Sequence, residues 1–296
     1  SGFDPMLMFR LYSFISKGGY DVIHFHVNAI AYALLPSMMK STRCYVTIHN
    51  DAFRESSGIH RFIRRILFKM AYPITISHQS DISFHDLYGR SVSSTIIYNG
   101  VPMHNQTDGF SLNQFRATTN TKLFIIAAAV TPVKNELAVV QAVRQLIEEG
   151  EDITLIIVGR SADKQYTQQI KGLTSQRIHY LGEVPNPIDY MRCANYFVLA
   201  SYFEGLPISL LEAVSVGCIP IVTPVGGCKD VVTDGRNGFI IASQEVQDIY
   251  ATIKKVLHIS SQSIKIVQKQ AILDAKQYSI SCCSDSYLSI FNHTQA

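Results

Sequence analysis

The stretch from Tyr196 to Thr223 constrains the fold more than any other part of the sequence. It begins and ends with short apolar segments, each typical of a buried strand. Pro207 stands where a helix begins and Gly217 where it ends, so the sequence predicts a helix between them. A strand, a loop, a helix and a strand in this order form a parallel βαβ unit. In sheets built from such units, ligands bind at the carboxyl ends of the strands.

Two carboxylates stand on either side of the predicted start of this helix, Glu204 in the preceding loop and Glu212 more than a turn inside. Gly205 and Leu206 follow Glu204, and the glycine allows the backbone to approach a ligand closely. The free N–H groups at the helix N-terminus favour a bound anion such as phosphate. These groups belong to Ile208, Ser209 and Leu210. A nucleotide sugar suits this pattern, because its diphosphate lies between two groups that carry hydroxyls. The structural alternative makes Glu204 a helix cap and Glu212 a solvated helix residue.

Short apolar strands alternate with helices along most of the chain, which predicts an α/β fold with doubly wound parallel sheets. Strands are predicted at 22–25, 44–48, 74–76, 95–98, 123–130, 154–158, 178–181 and 196–200, and a helix at 136–149. Polar residues without periodicity over 104–121 predict an interdomain linker. The sequence therefore predicts a domain at 1–103 and a second domain at 122–296.

Composition agrees with a two-domain globular chain. Its 296 residues are 47% hydrophobic, and the net charge of +3 is too small to argue for nucleic-acid binding. No apolar run approaches the ~18 residues that a membrane-spanning helix needs. The six cysteines are scattered and lack the spacing of metal ligands, so we expect buried free thiols and a cytoplasmic location.

Three segments carry a long ordered signature: Phe203 to Ala213, Gly217 to Gly227, and Asp234 to Phe239. Together they resemble the retaining nucleotide-sugar glycosyltransferases of family 4, which have the GT-B fold of two Rossmann-like domains facing across a cleft. A weaker resemblance extends from about residue 21 to residue 288. It implies transfer of a hexose from a nucleoside diphosphate sugar to a glycan or lipid-linked acceptor, in cell-surface polysaccharide synthesis. It also implies retention at the anomeric carbon, and it supplies no carboxylate nucleophile.

The same resemblance implies roles for four side chains. Glu212 would bind the ribose hydroxyls of the donor, Glu204 its sugar hydroxyls, and Lys134 its diphosphate. His49, directly after a predicted strand, matches a histidine that faces the donor sugar in many family members. From the residues alone, Lys134 could instead be a solvated loop lysine and His49 a hydrogen-bonded loop histidine.

Two departures from the family pattern stand out. The phosphate-binding loop commonly carries an arginine five residues before its lysine, and here that position is Ala129. Arg160 is the candidate replacement for the missing positive charge. The family usually opens with further βα units before the strand that matches 22–25, so we expect the N-terminal domain to be incomplete.

Several common ligand motifs are missing from the sequence. It contains no Asp-x-Asp, no G-x-G-x-x-G and no G-x-x-x-x-G-K-[ST]. We therefore expect neither a metal nor a cofactor, and we expect side chains and a helix N-terminus to handle the charge of the leaving diphosphate.

Residues 60–70 read as a basic amphipathic helix, with apolar side chains on one face and arginine and lysine on the other. Such a helix packs on its own domain or lies on anionic lipid. The second interpretation gains from the lipid-linked acceptors of the family and would place the protein on the inner face of the plasma membrane. His24 and His26, in and beside a strand, are expected to be structural.

Two other functions remain open from the sequence. One is a degenerate GT-B module that binds a nucleotide or a partner without turnover, motivated by the missing opening units and by Ala129. The other is a different GT-B enzyme such as a sugar epimerase. The presence of Glu204, Glu212 and Lys134 favours transfer.

Overall fold

The computed structural model describes residues 4–39, 41–55, 59–103 and 109–292. By packing, the chain divides into two compact units. Unit 1 comprises the residues up to Asn99 together with those from Cys283 onward, and unit 2 runs from Gly100 to Cys282. Each unit has its own sheet, and all strand pairs in both sheets are parallel.

Unit 1 contains a four-stranded sheet in the order β1-β2-β3-β4. Its strands are β1 (Val22–His26), β2 (Arg43–Ile48), β3 (Tyr72–Thr75) and β4 (Thr95–Ile96). Its helices are α1 (Pro5–Gly18), α2 (Ala52–Glu55), α3 (Ile59–Leu67) and α4 (His78–Tyr88). Short 3₁₀ turns at Val27–Tyr32 and Pro36–Met38 connect β1 to β2.

Helix α1, for which the sequence analysis made no prediction, has clear start and stop signals. The Asp4 side chain accepts hydrogen bonds from the N–H groups of Met6 and Leu7, and Pro5 occupies the first helical position. Gly19, with φ of +65°, ends the helix in the left-handed conformation.

Unit 2 contains a six-stranded sheet in the order β10-β9-β8-β5-β6-β7. Its strands are β5 (Lys122–Ala127), β6 (Ile153–Val158), β7 (Ile178–Gly182), β8 (Tyr196–Leu199), β9 (Ile219–Val222) and β10 (Phe239–Ile240). Its helices are α5 (Glu136–Glu148), α6 (Lys164–Lys171), α7 (Pro187–Cys193), α8 (Ile208–Ser215), α9 (Cys228–Val231), α10 (Val246–Leu257) and α11 (Ser261–Ala275). The last helix, α12 (Ile280–Asn292), begins in unit 2 and continues into unit 1.

The strands of unit 2 are short and almost wholly apolar because helices cover both faces of the sheet. All six residues of β6 are buried, and side chains of α5 and α10 such as Val143 and Ile253 complete the core on one side. On α11, the Gln268 side chain donates to the carbonyl of Gly217, two residues after the end of α8. This sheet is the doubly wound arrangement that the alternation of strands and helices predicted.

Strand order places a topological switch point between β5 and β8. From β5 the chain proceeds outward through β6 and β7, then returns to the other side of β5 and proceeds outward again through β8, β9 and β10. Ligands of open parallel sheets bind in the crevice at the carboxyl ends of the strands that flank such a point. The loops after β5 and β8 are therefore the expected position of a ligand-binding site.

Packing divides the chain differently from the domain bounds that the sequence predicted. Residues 109–121 of the predicted linker pack with unit 2, while 104–108 lie outside the described residues. The end of α12 packs with unit 1, since the Phe291 ring contacts the Tyr45 ring at a tilt of 57°, with centroids 4.8 Å apart. The Tyr45 hydroxyl also donates to the carbonyl of Ile290.

Helix α3 ends at Leu67, before the end of the predicted 60–70 helix. The apolar residues of the 60–70 segment divide between two environments. Leu67 and Phe68 are buried in the unit 1 core. Phe62, Ile66 and Met70 are exposed at spacings of four residues, with exposed fractions of 64%, 40% and 38%.

All six cysteines are free thiols, and Cys44, Cys218 and Cys228 are buried as expected. Among the described residues, no helix combines the length and the apolar character needed to cross a bilayer.

Candidate functional site

An ion pair joins the two loops at the switch point of unit 2. Lys134, in the loop after β5, places its Nζ 2.7 Å from Oε1 and 2.8 Å from Oε2 of Glu204, in the loop after β8. The Glu204 carboxylate is only 7% exposed, and the Ser201 hydroxyl donates to its Oε1 at 2.6 Å. A charged lysine and a largely buried, well-ordered carboxylate thus meet where the fold places ligands.

Two backbone connections fix the geometry of this pair. Asn135, left-handed with φ of +59°, donates through Nδ2 to the carbonyls of Ala200 and Gln244. The N–H of Tyr202 donates to the carbonyl of Val133 at 2.9 Å. These hydrogen bonds join the loop that carries Lys134 to the loop that carries Glu204, and they therefore fix the positions of the two side chains relative to each other.

The mouth of α8 lies directly after Glu204. Pro207 is the N-cap residue, and its carbonyl accepts the N–H of Leu210 in a tight first turn. The N–H groups of Ile208 and Ser209, which have no partner within a helix, remain for an anion. Helix α8 occupies 208–215, close to the predicted 207–216.

A glycine turn packs against the Glu204 loop from the side of β9. The N–H of Gly227 donates to the carbonyl of Gly205 at 2.6 Å. A Cβ atom at Gly226, whose φ is +50°, would lie 2.0 Å from the Glu204 carbonyl oxygen. Only glycine permits this close approach, so the turn supports the Glu204 backbone directly.

Glu212 and Arg160 lie near these loops without joining the ion pair. Glu212 is half-buried on α8, and burial raises the pKa of its carboxyl. Arg160 is exposed, and its carbonyl accepts the N–H of Val130, the residue after Ala129. Gly159 makes this contact possible, because a Cβ there would meet the Ala128 carbonyl oxygen at 1.7 Å. The candidate replacement for the missing arginine therefore sits beside the position it would replace.

In unit 1, His49 follows β2, and its backbone N–H donates to Oε1 of Glu55 at 2.8 Å. Its ring Nε2 lies 2.9 Å from Nδ1 of His26, at the end of β1. Burial is the main cause that lowers the pKa of both histidines. Burial also lowers the pKa of the neighbouring His24 to about 4, with smaller contributions from the other two rings.

The structure thus brings Lys134 and Glu204 into contact, with Gly205 and α8 following Glu204 in the chain. In the part of the chain described, no hydrogen bond or ion pair joins Glu212 or Arg160 to this pair, and His49 belongs to unit 1. Sequence reasoning missed three residues that shape these sites: Ser201, Asn135 and His26. His26 ends β1 and Ser201 lies two residues after β8, but only the tertiary structure shows which side chains they meet.

Comparison with known proteins decides the family. The model of the family "Glycosyl transferases group 1" matches residues 110–272, which include the ion pair, the α8 mouth and the glycine turn. The chain belongs to this family.

Relatives of this glycosyltransferase family are similar along most of the chain. A UDP-Gal:alpha-D-GlcNAc-diphosphoundecaprenol alpha-1,3-galactosyltransferase of Escherichia coli is 24% identical over 289 residues, covering 88% of this chain and 74% of its own length. The capsular polysaccharide biosynthesis glycosyltransferase CapH of Staphylococcus aureus is 26% identical over 229 residues, covering 72% of this chain and 62% of its own.

Among solved structures, Anabaena Alr3699/HepE in complex with UDP superimposes with a TM-score of 0.82 at 19% identity, covering 96% of this chain and 81% of that one. This likeness shows the GT-B fold. The predicted fold class and family are therefore both confirmed, and the protein is a glycosyltransferase by family membership.

Proposed function

We propose that the protein transfers a hexosyl group from a nucleoside diphosphate sugar to a lipid-linked or glycan acceptor in polysaccharide synthesis, with retention and without a metal. The observation that supports this most directly is the Lys134–Glu204 pair at the mouth of α8. Lys134 and the N–H groups of Ile208 and Ser209 supply positive charge where a diphosphate would leave. Preorganised charge of this kind is the largest single contribution in many enzymes.

The donor would lie along the loops of unit 2. Glu204 would accept hydrogen bonds from the hydroxyls of the transferred sugar, and Glu212 from those of the ribose. Arg160, beside Ala129, would add a second cation to the phosphate site. The family resemblance also assigns His49 a contact with the donor sugar. Binding of the donor would exchange the internal Lys134–Glu204 contact for contacts with phosphate and with sugar.

The acceptor class rests on the relatives. The name of the Escherichia coli relative specifies a diphosphoundecaprenol-linked sugar, and the Staphylococcus aureus relative is named for capsule synthesis. We extend this class of acceptor to the present chain, without assigning its sugar or the base of its donor. This function would place the protein at the cytoplasmic face of a membrane.

Paired substitutions of the two glutamates test the donor orientation. Glu204→Gln keeps the size of the side chain and loses its charge, so we expect a fall in kcat of at least ~10-fold with little change in UDP affinity. Glu212→Ala removes the proposed ribose contact, so we expect UDP affinity in calorimetry to fall by at least ~10-fold. The reverse pattern, with UDP affinity lost in Glu204→Gln and kept in Glu212→Ala, would show that the donor lies in the opposite direction.

Metal independence is tested by chelation. We expect transfer with a UDP-sugar and a lipid-diphosphate acceptor to continue at an unchanged rate in excess EDTA, because Lys134 and the α8 N-terminus supply the positive field. The anomeric configuration of the product, read by NMR, tests retention in the same reactions. Loss of activity that magnesium or manganese restores would reject this part of the proposal.

We also propose that α3 contacts an anionic membrane surface. Phe62 and Ile66 form an exposed apolar stripe, and basic residues flank them on the same helix. Exchanging both residues for serine should weaken binding to vesicles that contain phosphatidylglycerol by about tenfold in flotation assays. Ile272→Ser, which alters an exposed residue of α11, is the matched control. Equal binding of the double variant and the control would exclude this surface.

A further inference from the structure

Three histidines gather at the carboxyl ends of β1 and β2 in unit 1. His26 Nδ1 lies 2.9 Å from His49 Nε2, so the two rings share one hydrogen bond. His24 packs on His26 with ring centroids 3.9 Å apart, and its Nε2 lies 2.7 Å from the Thr47 hydroxyl. His26 therefore lies between the half-buried ring of His24 on one side and His49 on the other.

The surroundings hold this cluster from three further elements. On α12, Tyr287 packs on His24 with a centroid distance of 5.1 Å and places its hydroxyl 3.4 Å from that of Thr47. On α2, Glu55 accepts the backbone N–H of His49 and lies 3.6 Å from Arg64 of α3. These contacts hold His24 and the backbone of His49, while the His26 ring lies at the surface.

The backbone after His26 is strained. Val27 has a φ of +48°, in the left-handed region that a β-branched residue rarely occupies, although its side chain is exposed. Among the described residues other than glycine, only Val27 and Asn135, in the loop after β5, have a positive φ. Strain of this kind persists where the surrounding structure fixes a functional geometry. Here it turns the chain sharply and leaves the His26 ring at the end of the strand.

The shared hydrogen bond determines what the pair offers to a ligand. A neutral histidine carries one N–H and one acceptor nitrogen. If His26 Nδ1 donates, His26 Nε2 accepts and His49 Nδ1 donates. If His49 Nε2 donates, the two outer roles are exchanged. In either case the two outer nitrogens, for which the described residues provide no partner, present one donor and one acceptor, and both rings have the same tautomer.

We propose that His26 and His49 act as one binding element for sugar hydroxyls, in which His26 fixes the tautomer of His49 and contributes its own outer nitrogen. A hydroxyl both donates and accepts, so a sugar satisfies a donor and an acceptor presented together. The proposal rests on the proposed function and adds His26 to the residues that recognise a substrate. The sugar belongs to the donor or to the acceptor, and separate measurements on each distinguish the two.

Protonation gives the pair a signature of its own. One added proton keeps the shared hydrogen bond but turns both outer nitrogens into donors, so the acceptor is lost. The other titratable groups around the pair are His24, Glu55 with its partner Arg64, and Tyr287. Burial lowers the pKa of both members of the pair, so recognition is present at neutral pH and is lost in acid, below the ordinary histidine value of about 6.5. Because His26 itself contributes to lowering the pKa of His49, its removal should move this loss to higher pH.

Steady-state kinetics over pH 5–8 test the proposal with three variants. His26→Phe keeps a ring against His24 and removes the shared bond, so we expect about a tenfold rise in KM for one substrate. UDP affinity should stay within twofold of wild type, and the acid limb of kcat/KM should move upward. His26→Gln retains a group that hydrogen-bonds to His49 and should restore KM to within about threefold. His258→Gln, on the surface of unit 2, is the control and should match wild type.

Histidine nitrogen NMR provides a readout that does not depend on turnover. We expect the rings of His26 and His49 to share one tautomer and to respond together when the substrate sugar is added. Opposite tautomers, or an unchanged KM and acid limb in His26→Phe, would overturn the proposal while leaving the transfer function intact. Absence of transfer and of UDP binding in the wild type would instead reject the proposed function, and the tautomers would still decide whether the pair exists.

Discussion

Replacing Lys134 with alanine is expected to lower kcat/KM for the nucleotide sugar by 100-fold or more. Removal of one preorganised charge-stabilising group typically costs 10²–10³ in rate. We proposed that role for Lys134 because its ammonium contacts both oxygens of Glu204, at 2.7 and 2.8 Å, in the loop that leads into α8. Kinetics with the UDP-sugar and calorimetry with UDP measure the two parts of the loss.

A matched lysine separates this effect from the general loss of an ion pair. Lys254 on α10 contacts Glu149 at 2.8 Å in the same unit, away from the switch point. Lys254→Ala should leave kcat/KM within about twofold, since exposed ion pairs contribute little. The double variant Lys134→Met/Glu204→Gln removes both charges and should recover thermal stability without recovering activity. A Lys134→Ala protein that keeps kcat/KM within threefold would refute the assignment of the donor site.

The comparison of sequence and structure shows which features local patterns determine. Pro207 and Gly217 bracket α8 in the sequence, and the helix lies between them because proline and glycine act through local backbone geometry. The contact of Lys134 with Glu204 joins residues that are 70 positions apart. The family resemblance assigned both residues to the donor but predicted no contact between them, because strand order, and not sequence distance, brings the loops after β5 and β8 together.

The contact between His26 and His49 was not predicted from the sequence. Sequence reasoning favoured a structural role for His26, since histidines at strand ends are common. Its contact with His49 depends on the register of β1 and β2, in which His26 pairs with Thr47, two residues before His49. Neither the left-handed Val27 nor the return of α12 to unit 1 has a sequence signal, because each is imposed by packing between distant segments.

Glu136 is a further residue whose environment differs from its sequence pattern. An acidic residue in the first turn of a helix is usually solvated and favoured by the helix dipole. At the start of α5, however, Glu136 is fully buried, and neither of its carboxylate oxygens forms a hydrogen bond of normal geometry with a described residue. Burial raises the pKa of its carboxyl from 4.5 to about 7, and the nearby backbone groups of Glu136 itself and of Thr131, together with the charge of Lys134, offset only part of that effect.

Glu136→Gln is therefore expected to stabilise unit 2 at pH 8 by about 3 kcal/mol, or roughly 6–12 °C in melting temperature. The direction of this stability change follows from the linkage between proton binding and folding. Between pH 4.5 and 7 the unfolded chain releases the proton of Glu136 while the folded protein keeps it, so the wild type loses stability as pH rises. Above pH 7 the loss is complete. Below pH 4.5 the carboxyl is neutral in both states, as glutamine always is, and the two proteins should melt alike.

Melting curves of the wild type and the variant at pH 4.5, 6 and 8 measure this difference, and the other titrations cancel between the two proteins. Glu148→Gln is the control on the same helix, because that carboxylate is exposed at the surface beside Arg144. Its melting temperature should follow the wild type at every pH. A difference between Glu136→Gln and the wild type that stays constant across this range would show that the carboxyl titrates normally and is reached by water or a cation. A difference that grows with pH identifies Glu136 as an acid that is neutral near pH 7 and lies two residues from Lys134, on which the proposed chemistry depends.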